Sequence, residues 1–249
     1  MPHAMPEHIW KTIRIGEHTA DVLEPAEPLT DRAVMFLHGH GEQTLVDNPV
    51  FTKLLGDKGL RVVCPHGGKS WWLDRQCNQF DTNQTPSAYL KNEVLPWIEN
   101  NWNAAPPRVA LLGVSMGAQG VLHLAYPKGR EFPVVIAISP IVDFYHCLGN
   151  GFPLDEMFAD AEEARQWNIT LHLHPLNWPR YQYIFCDPQD VWIEGCERLG
   201  MKLSASGILH ERDFDTSGGG HTWDYFNKVA PTAIEYLAKK LQRVLDELA

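Results

Sequence analysis

The chain has 249 residues, 44% of them hydrophobic and 21% charged, and a formal net charge of −10. That length suits one α/β domain with a single large core, so residues 1–249 are read as one unit. The acidic balance argues against nucleic acid as a partner, since phosphate binding relies on clustered Lys and Arg, and no apolar run approaches the ~20 residues of a membrane span.

Residues 1–8 hold no basic stretch followed by an apolar one, so no secretory signal is expected and the expected location is cytoplasmic. The cysteines, Cys64, Cys77, Cys147, Cys186 and Cys196, are odd in number and scattered, without a C-x-x-C pair, and are expected as reduced thiols. Alternating residues at 11–15 and 18–23 flank Gly16-Glu17 and predict an antiparallel hairpin at the sheet edge. The continuous apolar run 33–37 predicts a strand buried on both faces, ending at once in His38-Gly39-His40-Gly41. Helical spacing of Val50, Phe51, Leu54 and Leu55 stops near Gly59, and 60–65 is a second short buried strand.

Residues 66–84 read as a structured loop, in which one ring of Trp71-Trp72 is expected to pack down and the other to face a cleft. Residues 87–102 predict an amphipathic helix kinked by Pro96. Strand-like 108–112 then runs through Gly113-Val114-Ser115-Met116-Gly117 into a helix over 118–126, a G-x-S-x-G turn between strand and helix. Residues 133–140 are a further buried strand. The stretch 141–180, with a short helix expected over 154–167, is too long for an ordinary connection and reads as a small lid-like insertion over the rim of the sheet. A strand at 181–186 leads into Asp187-Pro188-Gln189-Asp190 and a helix over 191–199 ending at Gly200, with 203–209 expected as the last strand. After a Gly-rich turn at 215–221, a long helix runs from Trp223 onward. Strands alternating with helices predict a mostly parallel, doubly wound α/β sheet with its functional loops at the C-terminal strand ends.

A serine hydroxyl is a poor nucleophile at neutral pH and needs a base, and the base needs an orienting carboxylate. In such a sheet the chain order is serine, acid after a later strand, then histidine in a late loop. Ser115 is the candidate nucleophile. His221, in Gly219-Gly220-His221-Thr222-Trp223, is the candidate base. Asp187 and Asp190 both end the 181–186 strand; Asp187, directly after the strand and before Pro188, is placed to cap the turn, and Asp190 is preferred because it lies farther into the loop at the helix entrance, although either aspartate also suits a helix N-cap. The oxyanion donors are expected to be the backbone N–H groups of Met116 and His40, the latter brought close by Gly39 and Gly41. Trp72 and Trp223 are candidate aromatic walls of the substrate site. His38 is a substrate-side candidate whose simpler role is structural hydrogen bonding, and His123 is expected to be packed or capped. His172-Leu173-His174, with His66 or His146, has metal-ligand spacing, but no Cys or carboxylate motif completes it, and neither metal nor cofactor is expected.

With these residues in place the chain resembles the α/β-hydrolase superfamily. Within it, the similarity is to the carboxylesterase group that includes esterase D, or S-formylglutathione hydrolase, and feruloyl or acetylxylan esterases. Four motifs carry the resemblance: His38-Gly39-His40-Gly41, Gly113-Val114-Ser115-Met116-Gly117, Asp187-Pro188-Gln189-Asp190 and Gly219-Gly220-His221-Thr222-Trp223. It implies a cofactor-free acyl-enzyme mechanism on a small-molecule ester with a short-chain or aromatic acyl group, carbohydrate esters included. The first loop is not the H-G-G-G of many lipases and the insertion is short, so a bulky lipid is not the expected substrate. A thioesterase, peptidase or acyltransferase would use the same triad, and a non-catalytic binding protein is the rival from another class.

Overall fold

The structure, a computed structural model, describes residues 8–248. Of residues 1–8, which carry the expectation about a secretory signal, 1–7 lie outside the described residues, as does Ala249.

The strands are β1 Ile9–Ile15, β2 His18–Glu24, β3 Ala33–Leu37, β4 Arg61–Pro65, β5 Val109–Val114, β6 Val134–Ile138, β7 Tyr181–Phe185 and β8 Glu211–Asp213. The helices are α1 Pro49–Asp57, α2 Pro86–Tyr89, α3 Leu95–Trp102, α4 Met116–Ala125, α5 Leu154–Met157, α6 Ala161–Gln166, α7 Ile193–Ala205 and α8 Trp223–Leu248. The strands form one sheet in the order β1-β2-β4-β3-β5-β6-β7-β8. The hairpin β1-β2 is antiparallel and joins β4 antiparallel, while β4 through β8 run parallel.

Side chains alternate across a strand, and here both faces are apolar. Val34, Phe36, Ala110, Leu112 and Ile136 face a core closed by Phe51 and Leu55 of α1 and by Val229, Ala233 and Leu237 of α8. Ala33, Met35, Leu37, Val109 and Leu111 face the other way, towards Ile98 of α3, Val121 and Leu122 of α4 and Leu199 of α7. β3 has β4 on one side and β5 on the other, so the loops after β3 and β5 open at a point where the chain's winding reverses, the position where such sheets bind ligands.

Local sequence explains most helix ends. The Asn48 side chain accepts from Phe51 N at 3.0 Å, and Pro49 opens α1. The kink expected at Pro96 takes a specific form: α2 and α3 are joined by a π turn, Leu90–Val94, in which the Leu95 N–H reaches back to the Leu90 carbonyl. One wide turn just before proline relieves the clash its ring makes with the preceding turn.

Two expectations are corrected. The helix expected over 154–167 is two short ones, because Phe158 is extended (φ −131°, ψ 139°) and Asp160 starts a new helix by accepting from Glu163 N at 2.8 Å. The strand expected over 203–209 does not form: α7 runs through Gly200 to Ala205, and the last strand is the three-residue β8. Gly200 does not end the helix because Cys196, Leu199 and Leu203, spaced three and four apart, bury a continuous stripe that outweighs one glycine's propensity. The helix ends instead at Ser206, before Gly207 at φ +68°. A Cβ on Gly200 would come closest to Arg212 Nη1, at 3.0 Å, the tip of a flexible, exposed side chain, and would meet Arg212 Cδ and Phe214 Cε2 at 3.5 Å, an ordinary contact. Gly200→Ala is therefore expected to raise unfolding free energy by ~0.5–1 kcal/mol in urea titration; a loss would show that Arg212 is fixed.

Candidate active site

The site grows from the turn after β5. The register sets Gly113 beside Leu37 of β3 and Ala137 of β6, so the strand enters the turn in the middle of the sheet. Ser115 has φ 57° and ψ −122°, a left-handed backbone that a non-glycine residue adopts at a cost, and its N–H is held by the Ile138 carbonyl at 2.9 Å. Neither flanking glycine is replaceable: a Cβ on Gly117 would lie 1.9 Å from the Leu37 carbonyl oxygen, and one on Gly113 would lie 2.4 Å from that of Gly117. The turn lifts the Ser115 side chain to the C-terminal rim while its residue stays 7% exposed.

Two later loops converge on it. His221 Nε2 lies 2.7 Å from Ser115 Oγ, and His221 Nδ1 lies 2.8 Å from Asp190 Oδ2. The second Asp190 oxygen accepts from Trp192 N at 2.9 Å, which fixes the carboxylate plane, and Asp190 is 2% exposed. Of the two candidate aspartates, Asp190 therefore meets the imidazole.

Asp187 caps its own turn and also reaches a loop distant in sequence. Its carboxylate accepts from Gly218 N at 2.5 Å and Gly220 N at 3.0 Å on one oxygen and from Gln189 N at 2.7 Å on the other. Burial alone would raise its pKa, but these amides, with that of Gly219, hold it below the ordinary carboxylate value. Asp187 thus ties the histidine loop to the acid loop, and Gly219 and Gly220, at φ +100° and +72°, let the backbone turn around it.

Ser115 and His221 open into a cavity of about 340 Å³. Its wall includes His40, Trp71, Ile141, Phe152, Trp192 and Trp223. Gly39 lies against the serine, since a Cβ there would be 3.0 Å from Ser115 Cβ, and this places the His40 segment beside the nucleophile. Met116 opens α4 and so belongs to the first turn of amides that have no helical acceptor. A larger, more polar cavity of about 620 Å³, lined by Asp21, Glu42, Asp47 and His66 among others, adjoins it; Gln43 and Trp223 face both. Trp223 Nε1 donates to Gln43 Oε1 at 2.5 Å, and this pair stands between the two cavities.

Of the substrate-wall candidates, Trp223 lines the cavity and Trp72 and His38 do not. One tryptophan packs and one faces the cleft as expected, but it is Trp71 that faces it. Trp72 is buried where two glycines make room: a Cβ on Gly67 would lie 2.3 Å from its ring, and one on Gly120 2.5 Å from its Cβ. Its Nε1 donates to the His38 carbonyl at 3.1 Å. The His38 ring joins Gly39 O at 2.8 Å and Gly67 N at 3.0 Å, the structural role, and burial lowers its pKa so the ring is neutral. Adjacent tryptophans carry no sequence signal for which is which; the signal lies in Gly67 and Gly120, which meet Trp72 only in three dimensions. Phe152, from the irregular 141–180 stretch, was also missed.

The other histidines are dispersed. His66 joins Asp21 and Thr19, each at 2.8 Å; His172 reaches the Gln166 carbonyl at 2.8 Å; His174 accepts from Leu176 N at 3.1 Å. Among the described residues no group of three or more His, Cys, Asp and Glu side chains has a metal-binding arrangement. His123 packs beside Phe144, and burial lowers its pKa to about 3. The 141–180 stretch is held through buried Asp143, which accepts from Asn168 Nδ2 at 2.5 Å and Arg198 Nε at 3.0 Å.

Comparison with known proteins bears on the family and the fold. An esterase family model, described as "Putative esterase", matches residues 31–180. Diacylglycerol acyltransferase/mycolyltransferase Ag85A of Mycobacterium tuberculosis is 24% identical over 239 residues, covering 80% of this chain and 68% of that protein. The corresponding Ag85C of Mycobacterium leprae is 28% identical over 99 residues, and the match spans 38% of this chain but 29% of that protein's length. The structure of an S-formylglutathione hydrolase from Agrobacterium tumefaciens superposes with a TM-score of 0.79 at 16% identity, over 96% of this chain and 98% of that one. The likeness shows the fold, that of the α/β-hydrolases.

Proposed function

The chain belongs to the esterase family, and from that premise we propose that it is a serine carboxylesterase acting on short-chain or aromatic acyl esters through an acyl-enzyme. One observation carries the proposal: the unbroken relay from Ser115 Oγ through His221 to Asp190, with contacts of 2.7 and 2.8 Å.

In this mechanism His221 Nε2 takes the proton as Ser115 Oγ attacks the ester carbonyl, and Asp190 stabilises the imidazolium and keeps its Nδ1–H in place. The Met116 and His40 N–H groups receive the developing oxyanion; one such donor is worth roughly 10²–10³ in turnover. His221 then gives the proton to the leaving alcohol, and a water activated by the same nitrogen releases the acid. A cavity of about 340 Å³ walled by Trp71, Phe152 and Trp223 suits a short or aromatic acyl ester and not a long lipid chain. The 141–180 stretch, which supplies Ile141, Cys147 and Phe152 to that wall, is read as a lid within a single domain. No helix among the described residues is long and apolar enough to cross a membrane; a small-molecule substrate and a cytoplasmic location are part of the same proposal, and no step calls for a cofactor.

A second reading is favoured by the relatives named as acyltransferases: the acyl-enzyme would be resolved by an alcohol instead of water. A panel of p-nitrophenyl esters, acyl thioesters and peptides, run with and without added alcohol, separates the two. The esterase reading expects kcat/KM for short esters to exceed that for matched thioesters, no peptide cleavage, and free acid as the main product. Acyl transfer to the alcohol as the main product would establish the second reading.

A further inference from the structure

Two segments distant in sequence wall the cavity that holds Ser115. The loop at 66–84 supplies Trp71, and the 141–180 stretch supplies Ile141, Cys147 and Phe152. Both touch His40, whose ring meets Phe152 edge-on at 4.5 Å and Trp71 at 6.1 Å. The seating of one segment on the other therefore sets the wall and the surroundings of His40 together.

Arg75, on the 66–84 loop, ties the two segments. Its Cζ lies 4.4 Å from the centre of the Phe158 ring and 5.3 Å from that of Trp167. Its Nη1 donates to Glu163 Oε1 at 2.7 Å, and the other Glu163 oxygen accepts from Ala159 N at 2.7 Å. One guanidinium thus meets the residue that ends α5, the body of α6 and the residue that ends α6. A cation within about 6 Å of an aromatic face is attracted by the ring's quadrupole, and a flat, weakly hydrated guanidinium suits two faces at once. From Phe158 the ring contacts continue at 5.9 Å to Phe144 and at 5.7 Å from Phe144 to Trp71. This path leads from Arg75 back to the cavity wall without passing through Ser115, His221 or Asp190.

We propose that Arg75 is a positioning residue for substrate binding: it seats the 141–180 stretch on the 66–84 loop and so holds Phe152 and Trp71 around His40. The inference rests on the serine-esterase reading and adds to it a residue outside the cavity lining.

A protein whose wall is displaced part of the time binds substrate only in its seated fraction, so KM rises as that fraction falls while the bound complex turns over as before. Arg75→Ala is therefore expected to raise KM for p-nitrophenyl butanoate by ~3–10-fold, the scale of a lost cation–π contact at a partly exposed site, and to leave kcat within about 2-fold. Amide hydrogen exchange over residues 152–168 is expected to quicken in the same variant, with exchange in the acid and histidine loops and the urea midpoint close to those of the parent. Trp167→Leu, which removes one of the two rings, is expected to give the same pattern. A KM unchanged in both variants, unchanged exchange over 152–168, or a loss of kcat together with a lower urea midpoint would overturn the assignment. Fluorophosphonate labelling and turnover of the parent are read alongside. Their absence fails the serine-esterase reading, and the exchange measurement then still reports whether Arg75 seats the stretch; their presence without a KM shift fails Arg75 alone.

Discussion

Ser115→Ala is expected to lower kcat for p-nitrophenyl acetate by ~10⁴–10⁶-fold while leaving the fold intact. The size follows from the way such residues act as a unit: without Oγ, His221 has no nucleophile to activate, and only transition-state binding by the amides of His40 and Met116 remains. The variant removes one oxygen from a side chain that is already largely enclosed, and alanine at φ 57° carries the same backbone strain as serine. Its urea midpoint is therefore expected near that of the parent. Covalent labelling by a fluorophosphonate should vanish with the activity. More than about 1% of wild-type turnover in the variant would mean that another group attacks the ester, and the relay drawn above would be wrong.

Much of this arrangement is written in local patterns. The strand, G-x-S-x-G and helix at 108–126 are legible because sterics allow one solution there: Gly117 must lack a Cβ for α4 to pass the Leu37 carbonyl. The hairpin follows from alternation with a period of two, the buried strands from short continuous apolar runs and α8 from a period near 3.6. What stayed illegible depends on contacts distant in sequence. Gly200 looks like a helix end until Leu203 is seen to be buried on the same stripe as Cys196 and Leu199. Trp72 looks as available as Trp71 until Gly67 and Gly120 are brought around it. The 141–180 stretch lacks periodicity because its short helices are fixed by individual polar contacts, such as Asp143 with Asn168 and Arg198, that leave no repeating pattern. Asp187 reads as the acid or as a cap of its own turn; the Gln189 amide makes it that cap, and the Gly218 and Gly220 amides, brought in from another loop, add a role no local pattern shows.

That division of labour gives the two aspartates opposite signatures when each is changed to asparagine. Asp190→Asn is expected to lower kcat by about 10⁴-fold with little loss of stability. Its amide oxygen can keep the Trp192 N–H, which turns the amide NH₂ towards His221 Nδ1; that nitrogen must then accept, the ring proton moves to Nε2, and the base facing Ser115 Oγ is lost. Asp187→Asn is expected to lower kcat only ~10-fold or so, through displacement of the histidine loop, but to cost about 1–3 kcal/mol of stability, because an amide cannot accept from Gln189, Gly218 and Gly220 together as both carboxylate oxygens do. The pH dependence carries a further sign. The folded-state pKa of Asp187 is lowered below its unfolded value, so its stabilising share is complete above the ordinary carboxylate pKa of about 3.9 and is lost as pH falls through the lower folded value. The stability gap between wild type and Asp187→Asn is thus expected to be constant from pH 6 to 8 and to narrow as pH falls below the ordinary carboxylate value, measured by urea unfolding at neutral and at acid pH. A 10⁴-fold activity loss in Asp187→Asn, paired with near-normal turnover in Asp190→Asn, would exchange the two roles and make Asp187 the residue that holds the imidazole.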